Sequence, residues 1–198
     1  NGEKETPDGT RVVRYTVDRE KMTADVSSAK LIFTWPNGGH NGGCLRFGSD
    51  GMLYISTGDG SGIADSLETG QNLGTVLGKI LRIDVDKHDP VKAYAIPKDN
   101  PFVATKDARG EIWCYGIRQS WKISFDTATG DLWAGEIGQD LWESVYRVEK
   151  GGNYGWSVME GDHAFRPERK KGPTPILKPI VEHNHAEFRS ITGGFVYH

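Results

Sequence analysis

Short runs of alternating or near-continuous hydrophobicity, five to nine residues long, recur along the chain between glycine-rich and acidic turns. KLIFTWP (30–36), CLRFG (44–48), MLYIST (52–57) and GKILRIDVD (78–86) form one group of four. EIWCYGI (111–117), WKISFD (121–126), DLWAGE (131–136) and SVYRVEK (144–150) form a second. The runs are rich in β-branched and aromatic residues and are punctuated by Ser49-Asp50-Gly51 and Thr127-Ala128-Thr129-Gly130-Asp131, so each reads as a strand. Repeated four-strand groups predict an all-β fold, a β-propeller whose blades are antiparallel sheets with the first strand lining a central channel. On this reading 30–86 is one blade and 111–150 the next. Residues 11–18 (RVVRYTVD) read as the outer strand of a preceding blade, and SITGGFVYH (190–198) as the start of a further one. Blades bury their faces against neighbours, so residues 1–198 are expected to be an internal piece of a single propeller domain, about two whole blades with partial blades at both ends.

In such a blade the loops after strands one and three emerge at one end. His40 and Arg118 follow first strands; Asp59 in ISTGDG and Gly138-Gln139 in AGEIGQD follow third strands. These residues are expected to crowd one mouth of the channel, with Asp50 and Thr129 at the other end. Composition changes this picture little: 198 residues, 26 glycines, 10% aromatics and a net charge of −3 suit a turn-rich β protein. No basic excess points to nucleic acid, and no 18-residue apolar run points to a membrane span.

The mouth residues are chemically capable, and each also has a plainer reading. His40 sits among Gly38, Gly39, Gly42 and Gly43, and reads either as a histidine in a glycine-rich surface turn or as a base that takes a hydroxyl proton near neutral pH. Asp59 is a turn aspartate or the group that orients that imidazole. Arg118 is a blade-edge ion-pair partner or a fixed charge that stabilises a developing oxyanion. Glu136, Asp140 and Glu143 read as a solvated acidic turn. His163, His183, Asn184 and His185 lack zinc-ligand spacing and read as polar loop positions. Residues 60–77 form a long insertion over the mouth, and the basic, proline-rich stretch 162–180 reads as an ordered extended connection.

HNGGCLRFGSDGMLYISTGDG (40–60), LGKILRIDVD (77–86), EIWCYGIRQSWKISFDTATGDLWAGEIGQDLW (111–142), VEKGGNYGW (148–156) and SITGGFVYH, in that order, resemble the glucose/sorbosone dehydrogenase family. The resemblance covers roughly residues 11–198. It implies a six-bladed propeller that uses pyrroloquinoline quinone (PQQ) and calcium to oxidise an aldose sugar, passing electrons to an external acceptor, a quinone or cytochrome. It also implies His40 as catalytic base, Asp59 as its acidic partner and Arg118 as a catalytic and quinone-binding residue, with Gln119 and Arg189 also touching cofactor or substrate. Backbone carbonyls of Gly138 and Gln139 would bind the quinone-side calcium, and those of Ser144 and Tyr154 a second, structural ion. The family's Arg-Asn-Pro-Trp is here Arg118-Gln119-Ser120-Trp121, which lengthens an amide side chain and removes a rigid turn; Ser144 replaces a usual glutamate. Export is typical of the family, implying a periplasmic or secreted protein. A disulfide is then permitted, yet Cys44 and Cys114 lie on different blades and read as buried thiols. Two other functions are weighed. The same propeller occurs in Hedgehog-interacting proteins, which bind a protein partner, so a non-catalytic propeller binding a protein or glycan is the alternative. A calcium-dependent lactone hydrolase would need an acidic and amide side-chain cage that these motifs do not supply.

Overall fold

The computed structural model describes residues 9–198, which form strands and turns with no helix. β1 (Thr10–Asp18) and β2 (Thr23–Trp35) form a hairpin. β3 (Leu45–Phe47), β4 (Leu53–Ser56), β5 (Lys79–Ile83) and β6 (Ile112–Tyr115) form an antiparallel sheet in the order 3-4-5-6. β7 (Lys122–Phe125), β8 (Leu132–Glu136), β9 (Trp142–Val148) and β12 (Val181–Asn184) form a second, in the order 7-8-9-12. β10 (Met159–Glu160) and β11 (His163–Ala164) pair as a small hairpin inside the connection from β9 to β12.

β4 and β5 are buried at every position because both faces of their sheet are covered. Alternation decides which neighbour each residue meets. Leu53, Ile55, Leu81 and Ile83 pack with Val12, Ile32, Phe33 and Trp35 of the first hairpin. Tyr54 and Ile80, on the opposite face, pack with Ile123, Leu132, Ala134 and Tyr146 of the second sheet. Cys114 joins this second core while Ile112 and Tyr115 join the first, a parity break that coincides with a register shift between β5 and β6. Sheets packed face to face around a shared edge are the architecture of a propeller. Among the innermost strands, β3 approaches β7, where the Cys44 thiol lies 3.4 Å from the Ile123 amide nitrogen.

The strands are those expected, but the blades are cut one strand later. KLIFTWP lies in β2 and pairs with β1, whereas EIWCYGI supplies the fourth strand of the first sheet. SVYRVEK supplies the third strand of the second sheet, and the fourth arrives after the proline-rich connection. Residues 11–18 are therefore half of a hairpin, and the insertion 60–77 joins second and third strands. A repeat read along a chain can be divided at any strand; hydrogen bonding across long connections chooses the division. Here Asn100 closes the 84–111 connection by donating to the carbonyls of Arg82 and Gly110. The displacement by one strand leaves the parity of the loops unchanged, so the same loops still share an end. Residues 191–198 carry no assigned strand and lie along β7, with Ser124 Oγ donating to the Gly194 carbonyl and His198 2.8 Å from Asp126.

Candidate functional site

His40 is held by a loop that has little freedom. The Trp35 indole donates to the Asn41 carbonyl, the Asn41 side chain closes a ring with Gly38, and the His40 carbonyl accepts the Gly60 amide. Gly42 has φ of 64°, and a Cβ there would lie 2.6 Å from the Ser56 carbonyl oxygen, so only glycine fits. From this loop His40 Nδ1 meets Asp59 Oδ1 at 2.7 Å.

Asp59 is fully buried and faces donors only. Oδ1 accepts the Ser61 amide as well as His40, and Oδ2 accepts the Trp156 indole at 2.7 Å. An acceptor-only carboxylate places the proton of His40 on Nδ1 and leaves a lone pair on Nε2, with the ring 14% exposed. The TGDG turn is therefore more than a self-capping loop.

Arg118 is joined to this pair through its backbone, since its carbonyl accepts the Asp59 amide at 2.8 Å. Its guanidinium donates to the Ile137 carbonyl and to Gln139 Oε1, and lies 5.6 Å from the centre of the Trp156 ring. Gln119 is nearly buried and spends its amide oxygen on the Gly42 amide, a reach to the His40 loop that asparagine is one methylene too short to make. Ser120 replaces the rigidity of proline with a hydrogen bond, donating to Glu136 Oε2 at 2.7 Å. Glu136 also accepts the amides of Arg118 and Gln119. Burial pushes its carboxyl up to about 7, against the lowering effect of these three contacts.

Gly138 and Gln139 come to the same end. The Gly138 amide donates to Glu143, and the Gln139 and Asp140 amides both donate to Glu160 Oε1. The Gly138–Gln139 and Gln139–Asp140 peptides are trans, so two successive N–H groups drawn to one carboxylate turn the carbonyls of Gly138 and Gln139 together toward the opposite side. Backbone carbonyls are ligands that a hard cation takes, while among the described residues no group of three or more His, Cys, Asp or Glu could hold a metal. Ser144 and Tyr154 line a small space of about 10 Å³ together with Arg118, Glu136, Gly138 and Trp156, and the Ser144 Oγ is buried without a partner among the described residues. Ser144 is mid-strand, paired with Glu136 on one side and Glu182 on the other, so its backbone belongs to the ladders.

Arg189 follows β12 in the third loop of this kind but is exposed and makes none of the contacts that join the other residues. The acidic turn is solvated only at Asp140, which is exposed; Glu136 and Glu143 are buried. Glu143 accepts His185 Nε2 at 2.7 Å and the Ile191 amide. His163 stacks on Trp142 at 3.9 Å and pairs with Glu182, and His183 pairs with Glu187, so the histidines share no centre. Cys44 and Cys114 are free thiols; Cys114 is buried, which pushes its thiol up. Trp156 is the residue that sequence reading passed over, although it ends the quoted VEKGGNYGW. A groove of about 640 Å³ lies elsewhere, between the insertion at Gln71, the connection at Asp107 and the stretch at Arg169.

Residues 1–185 match the family model for glucose/sorbosone dehydrogenase. The chain is 38% identical over 220 residues to the HIPL1 protein of Arabidopsis thaliana, covering 95% of this chain and 31% of that protein. It is 34% identical over 125 residues to the Hedgehog-interacting protein of Mus musculus, covering 62% of this chain and 18% of that one. The PQQ-bound aldose sugar dehydrogenase of Streptomyces coelicolor superposes with a TM-score of 0.68 at 28% identity, over 89% of this chain and 46% of its own. The chain thus spans about a third of the first curated relative and about half of the solved structure. With a propeller's sheets, a mouth formed by the expected loops and a family match over nearly its whole length, this chain belongs to the glucose/sorbosone dehydrogenase family.

Proposed function

We propose that the whole protein oxidises an aldose to its lactone with PQQ and calcium. The observation that carries this reading is the His40–Asp59–Trp156 chain, which fixes one imidazole nitrogen as donor and leaves the other as a base. In this reading His40 Nε2 takes the proton of the sugar's anomeric hydroxyl, and Asp59 stabilises the imidazolium that forms. When bound, the quinone supplies the acceptor for the hydride that leaves the anomeric carbon. Arg118 places a permanent charge where negative charge would develop on a quinone oxygen; two of its five N–H bonds remain unspent on the described residues. The carbonyls of Gly138 and Gln139 would hold calcium. Gln119 serves chiefly to lock the Arg118 and His40 loops together. Arg189 would reach cofactor or substrate from its exposed loop, and a second, structural ion would sit beside Ser144 and Tyr154. An external acceptor would reoxidise the cofactor, and a periplasmic or secreted setting follows from the family reading.

A non-catalytic propeller binding a protein or glycan is the second reading, favoured by the identity to the Hedgehog-interacting protein. Reconstituting the whole protein with PQQ and calcium separates the two. Aldose-dependent reduction of an artificial acceptor, abolished by chelation and lowered roughly 10²–10⁴-fold by His40→Ala, is expected. A protein that binds quinone but oxidises no sugar would make the binding propeller the better account.

A further inference from the structure

The insertion between β4 and β5 encloses a buried charge arrangement that the proposed chemistry leaves unused. Lys79, at the start of β5, is fully buried, and its ammonium lies 2.7 Å from the Thr69 carbonyl, 3.2 Å from that of Gly70 and 2.7 Å from that of Leu77. Burial pushes Lys79 down to about 7, but its three carbonyl acceptors match the three N–H bonds of an ammonium, where a neutral amine has only two, and with Asp65 nearby they favour the charged form. Asp65, also buried, grips the same two residues from the other side: Oδ1 accepts the Thr69 amide at 2.8 Å and Oδ2 the Gly70 amide at 3.0 Å. Thr69-Gly70 is thus held by an anion at its N–H groups and by a cation at its carbonyls. The Ser157 hydroxyl secures Asp65 in turn.

What this clamp presents is the Thr69 hydroxyl. It lies 2.7 Å from the Asp59 carbonyl oxygen and 3.1 Å from Asp65 Oδ1; with one proton to give, it donates to the nearer. Asp59 is then fixed at every polar atom: its amide by Arg118, its carbonyl by Thr69, and its carboxylate by His40, Ser61 and Trp156. We propose that Thr69, clamped between Asp65 and Lys79, is a positioning residue that sets the orientation of Asp59 and, through it, the tautomer and placement of His40. The positioning claim rests on the proposed function only for its catalytic consequence.

The test uses the whole protein with histidine-selective ¹⁵N labelling, comparing Thr69→Val, which keeps shape and loses the donor, with Thr69→Ser, which keeps the donor. In the quinone-free protein, Thr69→Val is expected to lose or broaden the hydrogen-bonded Nδ1–H resonance of His40, and Thr69→Ser to retain it. Lys79→Met, which removes the cation holding the same peptide, should reproduce the loss in a folded protein. With PQQ and calcium loaded, Thr69→Val should lower kcat roughly 10-fold or more with little change in KM. A Thr69→Val protein that melts earlier yet keeps the wild-type Nδ1–H signal overturns the proposal, because its role would then be structural only. If the wild type oxidises no sugar, the enzymatic reading fails while the resonance still decides the positioning claim.

Discussion

Asp59→Asn tests the centre of the site, because the carboxylate it replaces meets donors on both oxygens. An asparagine has one acceptor oxygen and one donor group. The less costly orientation keeps the oxygen toward His40 and Ser61, where two donors converge, and turns the NH₂ toward the Trp156 indole, which is 3% exposed. A buried N–H then faces another donor, at about 1–3 kcal/mol for the stranded group. The opposite orientation sets the NH₂ against His40 Nδ1 and forces the other tautomer, which abolishes the base. In either case no anion remains to stabilise the imidazolium, and turnover should fall roughly 10²–10⁴-fold. Urea unfolding should show a loss of about 2 kcal/mol, and the double variant Asp59→Asn/Trp156→Phe should recover part of it, because the stranded donor is gone. Turnover would be read by acceptor reduction in the reconstituted protein. A single variant as stable as wild type, or strict additivity with Trp156→Phe, would refute the three-donor account; undiminished turnover would place the base elsewhere.

Glu136→Gln should alter the pH dependence of stability. Burial raises the carboxyl from 4.5 to about 7, so between these values the folded state holds more protons than the unfolded one. The contribution is full below pH 4.5 and lost as pH rises to 7, on the order of 3 kcal/mol. Urea midpoints of wild type should therefore fall relative to the variant across that window, and parallel profiles would show that Glu136 does not titrate there. Gly58→Ala would set a Cβ 2.3 Å from the His40 carbonyl oxygen and 2.4 Å from Gln119 Oε1, so a loss of roughly 1–3 kcal/mol in thermal or urea unfolding is expected together with reduced turnover. Arg118→Lys keeps the charge but not the fork that reaches Ile137 and Gln139, and quinone affinity measured by titration should fall about 10–100-fold. Unchanged affinity would remove Arg118 from the cofactor site.

Strand positions, the all-β class and the shared end of the His40, Asp59, Arg118 and Gly138 loops were legible along the chain, because period-two alternation and turn residues are local signals and loop parity survives a blade boundary drawn one strand early. The boundary itself was not legible. Whether EIWCYGI begins one sheet or ends another depends on the pairing of Lys79 with Tyr115 and Ile80 with Cys114, and no local signal encodes a partner more than thirty residues away. The same holds for the polar groups that make the site specific. Trp156 reaches Asp59 across 97 positions, Gln119 reaches Gly42 across 77, and Lys79 clamps a peptide inside an insertion that reads simply as a long loop. Which residues could do chemistry was a property of the chain; which of them are buried, and which donor meets which acceptor, was decided only when packing removed water and made unpartnered polar groups costly.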